Sequence, residues 1–419
     1  MKKTILVLLL VLSLVGVSTL TAAGASEKTE GSKTEVTFWT LSSRQDAVEP
    51  IVEEFNKLNP TIKVIPAFYD TDGIKDACKV AASSKTLPNM WFNWGGSLGG
   101  FYSDNNLTYD LKEYAEKYNW YNTFNEGALA LCTRNGELTG YPTSYNVLGM
   151  YYRKDTFKEN GIEIPKTFEE FEEACAKLKA NGIIPISTAG KYGWHVMRFV
   201  ELLIEHYAGA ELHDQMNTFT KPYNNEAVVK ALTKYKEFVD KGYFPEGFVT
   251  IDPNDTMMAI FSGRAAMDVQ GQWYDGNILQ EEQDITNYGT FAFPSGGTNR
   301  MSAFAEMTQF NANNTPEEME AGIKFMDYYY SEEVANRYAK YYNMPLPKQG
   351  AEMPAGQPNV EKMLKMSSEN STFTITDQAF PTQVADVLFR VQDAIAYGQM
   401  TPEAGAAAIQ KAIEDYTSK

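Results

Sequence analysis

The chain is poor in the residues that most often carry chemistry. Its 419 residues include only three histidines, His195, His206 and His213, and none falls in an H-E-x-x-H or comparable metal-binding spacing. No G-x-S-x-G nucleophile elbow occurs. The stretch Gly95-Gly96-Ser97-Leu98-Gly99-Gly100 lacks the Lys-Ser/Thr ending of a phosphate loop and the G-x-G-x-x-G spacing of a dinucleotide site. It reads as a loop around a ligand or a plain turn. No cofactor and no metal are expected. Cysteine is equally scarce. Cys78, Cys132 and Cys175 are an odd set that cannot all pair. Cys78 and Cys175 fall at apolar positions of predicted helices, so buried free thiols are expected in place of a disulfide framework. Positive charge is in deficit, with 37 Lys and Arg against 54 Asp and Glu and a net charge of −17. Such a surface repels nucleic acid and anionic membranes, so neither is expected as a partner.

Long apolar runs are missing as well, with one exception. Residues 5–17 are apolar, follow Lys2 and Lys3, and precede the small-residue stretch Ala23-Gly24-Ala25. That order is a secretory signal, with cleavage expected after Ala25. A retained anchor fits less well, because the apolar core is short and small residues end it. Leu20-Thr21-Ala22-Ala23-Gly24 resembles a bacterial lipoprotein box with Ala23 where the lipid-carrying cysteine stands. Either the protein is released outside the cytoplasm, or a cysteine was removed from this version. Residues 26–34 are small, charged and non-periodic, and read as a flexible tether. Losing residues 1–25 removes Lys2 and Lys3 but no acid, so 35 bases face 54 acids and the mature charge is −19.

The length exceeds what one compact core serves, so two lobes are expected. Strands are predicted at residues 36–39, 62–65 and 90–92. Between them lie a helix through Val48, Ile51, Val52 and Phe55, ended by Asn59-Pro60, and a second over residues 74–82. This β-α-β-α-β order implies a parallel sheet whose ligands bind beyond the strands' carboxyl ends, at loops 40–45, 69–73 and 93–100. Residues 151–287 read as a second α/β unit, with helices over 199–207 and 227–239. A strand follows at 288–294, then helical stretches over 319–342 and 384–416.

Residues 136–186 are the most informative. A Gly140-Tyr141-Pro142 turn leads into an aromatic strand at 148–152. Thr167 and Glu170 form a Thr-x-x-Glu capping box that satisfies free amides at a helix start. Phe168, Phe171, Cys175 and Leu178 share one face, and Asn181-Gly182 stops the helix before an apolar strand at 183–186. The order of these parts resembles the extracellular solute-binding proteins of ABC sugar importers, the family that includes maltose-binding protein. Phe38-Trp39, the run Phe55-Asn56-Lys57-Leu58-Asn59-Pro60, Pro165-Lys166-Thr167-Phe168, Gly263-Arg264-Ala265-Ala266-Met267 and Gly271-Gln272-Trp273 match its pattern. Pro88-Asn89 departs from the usual Pro-Asp.

The resemblance implies an α/β clamp of two lobes, each a mostly parallel sheet flanked by helices. Three hinge crossings join them, near Ser144, Thr290 and Met344. Residues 35–144 and 290–343 would form the first lobe, and 145–289 and 344–419 the second. It implies a monomeric, non-enzymatic protein that captures a carbohydrate, an oligosaccharide, outside the cytoplasm and delivers it to the permease subunits of an ABC importer.

Sugar recognition needs flat aromatic faces with polar groups around the rim. Trp273 follows Gly271 in a predicted turn, and the family's matching tryptophan stacks on sugar; the structural alternative is a lobe-core residue. Trp194 and His195 follow the loop Gly190-Lys191-Tyr192-Gly193, one as a platform and the other as a hydroxyl donor. Asn93 and Trp94 end the third strand, where Asn offers both donor and acceptor. Ser42, Arg44 and Gln45 occupy the first strand's loop. Tyr145 stands at the first crossing, and Phe380 lies near an aromatic cleft residue of the family. Two other readings stay open: a secreted glycoside hydrolase built on a carboxylate pair, and a same-fold binder of a non-sugar solute such as a phosphodiester or polyamine. The export reading predicts that N-terminal sequencing of protein from its host finds Ser26 first; a retained Met1 in a cytosolic fraction contradicts it.

Overall fold

The computed structural model describes residues 33–297, 299–338, 345–351 and 355–418. The signal, all but the end of the tether, Ala23 and the crossing expected near Met344 lie outside these. The first strand, β1 (Thr34–Leu41), buries Val36, Phe38, Thr40 and Leu41. The helix Gln45–Leu58 follows and buries Val48, Ile51, Val52 and Phe55 on one stripe, the 3.6-residue repeat that the sequence shows. Next come β2 (Ile62–Tyr69), the helix Thr71–Ser84 and β3 (Met90–Trp94). β1 pairs in parallel with both β2 and β3.

After a short hairpin of β4 (Thr133–Arg134) and β5 (Glu137–Leu138), the strand β6 (Tyr141–Arg153) runs for 13 residues. β7 (Ile184–Ile186), β8 (Ala265–Gly271) and β9 (Tyr288–Phe291) follow. The last two strands are β10 (Met301–Phe310) and β11 (Thr372–Thr374). The sheet order is β2-β1-β3-β10-β6-β8-β7, with β11 beside β10 and β9 beside β6.

Two hydrophobic cores sit at opposite ends of this path. One gathers Val36, Ile51, Phe55, Trp120, Phe310 and Phe325. The other gathers Phe157, Phe171, Phe199, Tyr235, Phe238 and Leu388. The fold is therefore two-lobed, and β6 and β10 are the strands common to both lobes. The amino-terminal half of β6 pairs with β10, from Tyr141↔Thr308 to Val147↔Ala303. Its carboxyl-terminal half pairs with β8 and β9. All ten residues of β10 are buried, as expected of a strand covered on both faces. The sheet is mixed, because the crossing strands run antiparallel to each other and to β3, β8 and β9.

The second crossing falls later than expected. Thr290 lies inside β9, opposite Tyr151, and Phe291 and Phe293 pack in the second lobe's core. These contacts hold 290–293 against that lobe, and the chain enters β10 at Met301. Similarly, Asn125 N donates to Pro347 O at 3.0 Å and Gln349 N to Thr123 O at 2.8 Å. That segment belongs with the first lobe. Met363, from the helix Pro358–Asn370, packs with Tyr151 and Tyr288 of the second.

Local signals fare well. The Thr167–Glu170 capping box is formed at the start of the helix Phe168–Ala180, and Cys78, Cys132 and Cys175 are buried free thiols. In the helix Trp194–Asn217, Glu201 is 1% exposed and accepts from the Thr376 amide at 2.8 Å and hydroxyl at 2.9 Å. Burial pushes its carboxyl up to about 8. The neutral acid thus adds stability that is complete below the unfolded value of 4.5 and lost as pH rises through 8. Denaturant unfolding at pH 5 and pH 8.5 should show wild type losing a few kcal/mol relative to Glu201→Gln, whose amide does not titrate. Parallel profiles for the two proteins would contradict this.

Candidate functional site

The carboxyl ends of β1, β2 and β3 face the second lobe across a cleft of about 240 Å³. The first lobe contributes Leu41, Ser43, Arg44, Thr71 and Trp94. The second contributes Trp194 and Arg198, one helical turn apart, and Gln270, Trp273 and Asn277 at the end of β8 and in the helix Trp273–Gln280. Phe304 and Glu306 of the crossing strand β10 complete the lining. A smaller space of about 40 Å³ continues past Trp94 to Lys75, Leu98 and Asp377.

Three half-buried indoles share this cleft, and each is held by a specific contact. Trp273 folds back over the end of β8, its Nε1 donating to Gln270 Oε1 at 3.2 Å. A Cβ on Gly271 would stand 1.9 Å from the Trp273 ring, so only glycine allows that approach. Gly193, at φ +76°, turns the chain into Trp194. The Trp194 Nε1 donates across the cleft to Asp72 Oδ2 at 3.4 Å, and Lys75 Nζ meets Asp72 Oδ1 at 2.9 Å. The same ammonium stands 4.8 Å from the Trp94 ring centre and 5.6 Å from that of Trp194. This cluster is a direct polar link between the lobes.

Charge on the first-lobe wall is paired. Arg44 Nη2 contacts Glu306 Oε2 at 2.6 Å, and Ser144 Oγ donates to the same oxygen at 2.6 Å. Burial opposes the Arg44 charge, but Glu306, together with Tyr330 and Tyr329, more than offsets it and holds the guanidinium above its ordinary value.

Of the residues singled out in the sequence, Trp273, Trp194, Trp94 and Arg44 meet in the cleft. The others do not. His195 is 1% exposed and faces Asp268 Oδ1 at 3.1 Å, so the first turn of its helix carries it into the lobe instead of toward a ligand. Asn93 spends its amide inside the protein, donating to Gln309 Oε1 at 2.8 Å and accepting from the Trp94 amide at 2.9 Å. Ser42 is exposed outside the cleft, where Ser43 takes its place. Gln45 begins the next helix and donates to Glu49 at 2.8 Å. The Tyr145 hydroxyl meets Thr372 Oγ1 at 3.1 Å, and the ring packs in the cores flanking the hinge. Phe380 is fully buried against Phe219 and Tyr223.

Arg198, Lys75, Asp72, Asn277, Phe304 and Glu306 went unread. Arg198 had a signal, standing four residues after Trp194 and directly before the helix predicted over 199–207. Glu306 had none, because its place depends on the β6–β10 register. Among the described residues, no group of three or more His, Cys, Asp or Glu side chains is arranged to hold a metal ion.

With this geometry in view, the family is defined. The chain belongs to the bacterial extracellular solute-binding proteins, whose family model matches residues 50–361. It is 25% identical over 355 residues to the multiple sugar-binding protein of Streptococcus mutans, covering 80% of each chain. It is also 25% identical over 196 residues to the alpha-glucosides-binding periplasmic protein of Rhizobium meliloti, covering 42% of this chain and 41% of that one. Among solved structures it resembles a chitin oligosaccharide binding protein with a TM-score of 0.84, at 22% identity, over 92% of this chain and all of that one. The maltose-bound MalE3 of T. maritima matches at a TM-score of 0.78 and 20% identity, over 91% of this chain and 100% of the other. These likenesses establish the two-lobed fold.

Removing one partner of the Arg44–Glu306 pair leaves a charge with little access to water. Glu306→Ala should therefore lower unfolding free energy by about 3 kcal/mol in denaturant titration. Replacing both members with methionine should recover most of that loss. Equal loss in the single and double variants would contradict the pairing argument.

Proposed function

We propose that this protein captures a carbohydrate, an oligosaccharide, between its lobes outside the cytoplasm and delivers it to the permease of an ABC importer. The observation that carries the reading is the meeting of Trp94, Trp194 and Trp273 in one cleft whose remaining walls offer amides, hydroxyls and charged groups. Aromatic faces suit the C–H face of a pyranose, and Gln270, Asn277 and Thr71 supply donors and acceptors for its hydroxyls. The multiple sugar-binding and alpha-glucosides-binding relatives, both binding proteins, support the same ligand class. The signal sequence supports export with cleavage after Ala25. Both lobes contribute to the cleft, which supports action by one copy of the chain.

A glycan array of neutral and acidic oligosaccharides, followed by calorimetric titration, tests the reading; failure of every glycan to bind would overturn it. New reducing ends during incubation would favour the hydrolase instead. Trp273→Ala should weaken binding by about 2 kcal/mol or more, roughly a thirty-fold loss, with little change in melting temperature. Near-normal affinity with a much lower melting temperature would make Trp273 a packing residue.

A further inference from the structure

The cations around the cleft are not equivalent. Arg44 has Glu306 at 2.6 Å and Lys75 has Asp72 at 2.9 Å. Among the described residues, Arg198 has no carboxylate within 4.0 Å, although it is only 8% exposed. Its guanidinium carbon lies 4.6 Å from the ring centre of Trp194 and 5.2 Å from that of Trp273. Its Nη1 reaches Val269 O at 3.5 Å, beyond good hydrogen-bonding range. Its Nε is buried with no hydrogen-bond partner among the described residues. Four acids act on it from beyond ion-pair distance, and each is engaged elsewhere: Asp268 by Gln270, Asp377 by its own amide and that of Gln378, Glu201 by Thr376 and Glu306 by Arg44. Burial pulls the Arg198 guanidinium down to about 10, and the surrounding acids do not restore it.

We propose that the cleft takes an acidic saccharide, with the sugar's carboxylate on the guanidinium of Arg198. This deepens the carbohydrate reading and rests on it. A desolvated cation without a counter-charge is unfavourable, and an arriving carboxylate relieves that cost. The two carboxylate oxygens match the planar donor fork, which a hydroxyl matches at one point only. The flanking indoles add the second requirement. A uronic acid carries its carboxylate at the rim of the pyranose ring, so a ring seated on Trp194 or Trp273 presents that group toward the guanidinium lying against both.

Calorimetry with paired di- and trisaccharides tests this, each pair differing only in carboxylate against hydroxymethyl: glucuronate with glucose, galacturonate with galactose. Wild type should bind the acidic member of at least one pair tenfold or more tightly than its neutral partner. Arg198→Gln should erase that preference, and Arg198→Lys should reduce it while keeping the charge. Wild type binding neutral members as tightly as acidic ones would overturn the inference and leave carbohydrate capture standing. Binding of neither member of any pair would overturn the inference, while carbohydrate capture stands or falls with the glycan array. A preference that survives in Arg198→Gln would also overturn it.

Discussion

The antiparallel pairing of β6 with β10 is the constraint on which the rest depends. Each strand belongs to both lobes, so the backbone ladder between them is at once the core of the sheet and the connection across the cleft. The register shifts between Glu306 and Met307, where Ser144 pairs with Glu306 but Pro142 pairs with Met307. Thr143 is the extra residue. Pro142 has no amide hydrogen to donate, so the ladder is interrupted where a bulge costs least. The interruption places Glu306 within reach of both Ser144 and Arg44. A break in backbone pairing thus becomes a fixed point for charge at the base of the cleft.

The cleft follows from that arrangement. Parallel strands β1 to β3 deliver their carboxyl ends to one side, and β8 with the start of the helix Trp194–Asn217 delivers the other. Aromatic residues sit where chain geometry is tightest, beside Gly271 and Gly193, so their orientations are set by backbone and not by side-chain freedom. Most charges that approach the cleft are neutralised in place. The Asp72–Lys75–Trp194 contact ties the walls together by polar groups that solvent can replace, as a reversible clamp needs.

How much of this was legible in the sequence depended on how local each signal was. Val48, Ile51, Val52 and Phe55 announced their helix by spacing, and Thr167 with Glu170 announced a cap. The first three strands and the loops after them were readable in the same way. Trp273, Trp194 and Trp94 were found because residue type, neighbouring glycine and position after a strand all agreed. His195 and Asn93 stand next to true cleft residues but point into the protein, since one residue along a helix or strand changes the face presented. Phe380 and Tyr145 are aromatic for packing. Thr290 was placed at a crossing because strand pairing between distant segments leaves little trace in local pattern, and the same holds for Glu306.

The central claim is that two rigid lobes close on a ligand held between them. Small-angle scattering of the protein, alone and with a saturating oligosaccharide identified by titration, measures this most directly. A ligand that contacts both walls favours the closed form by its differential affinity, so the account predicts a smaller radius of gyration in the complex. An unchanged scattering profile at confirmed saturation would contradict it.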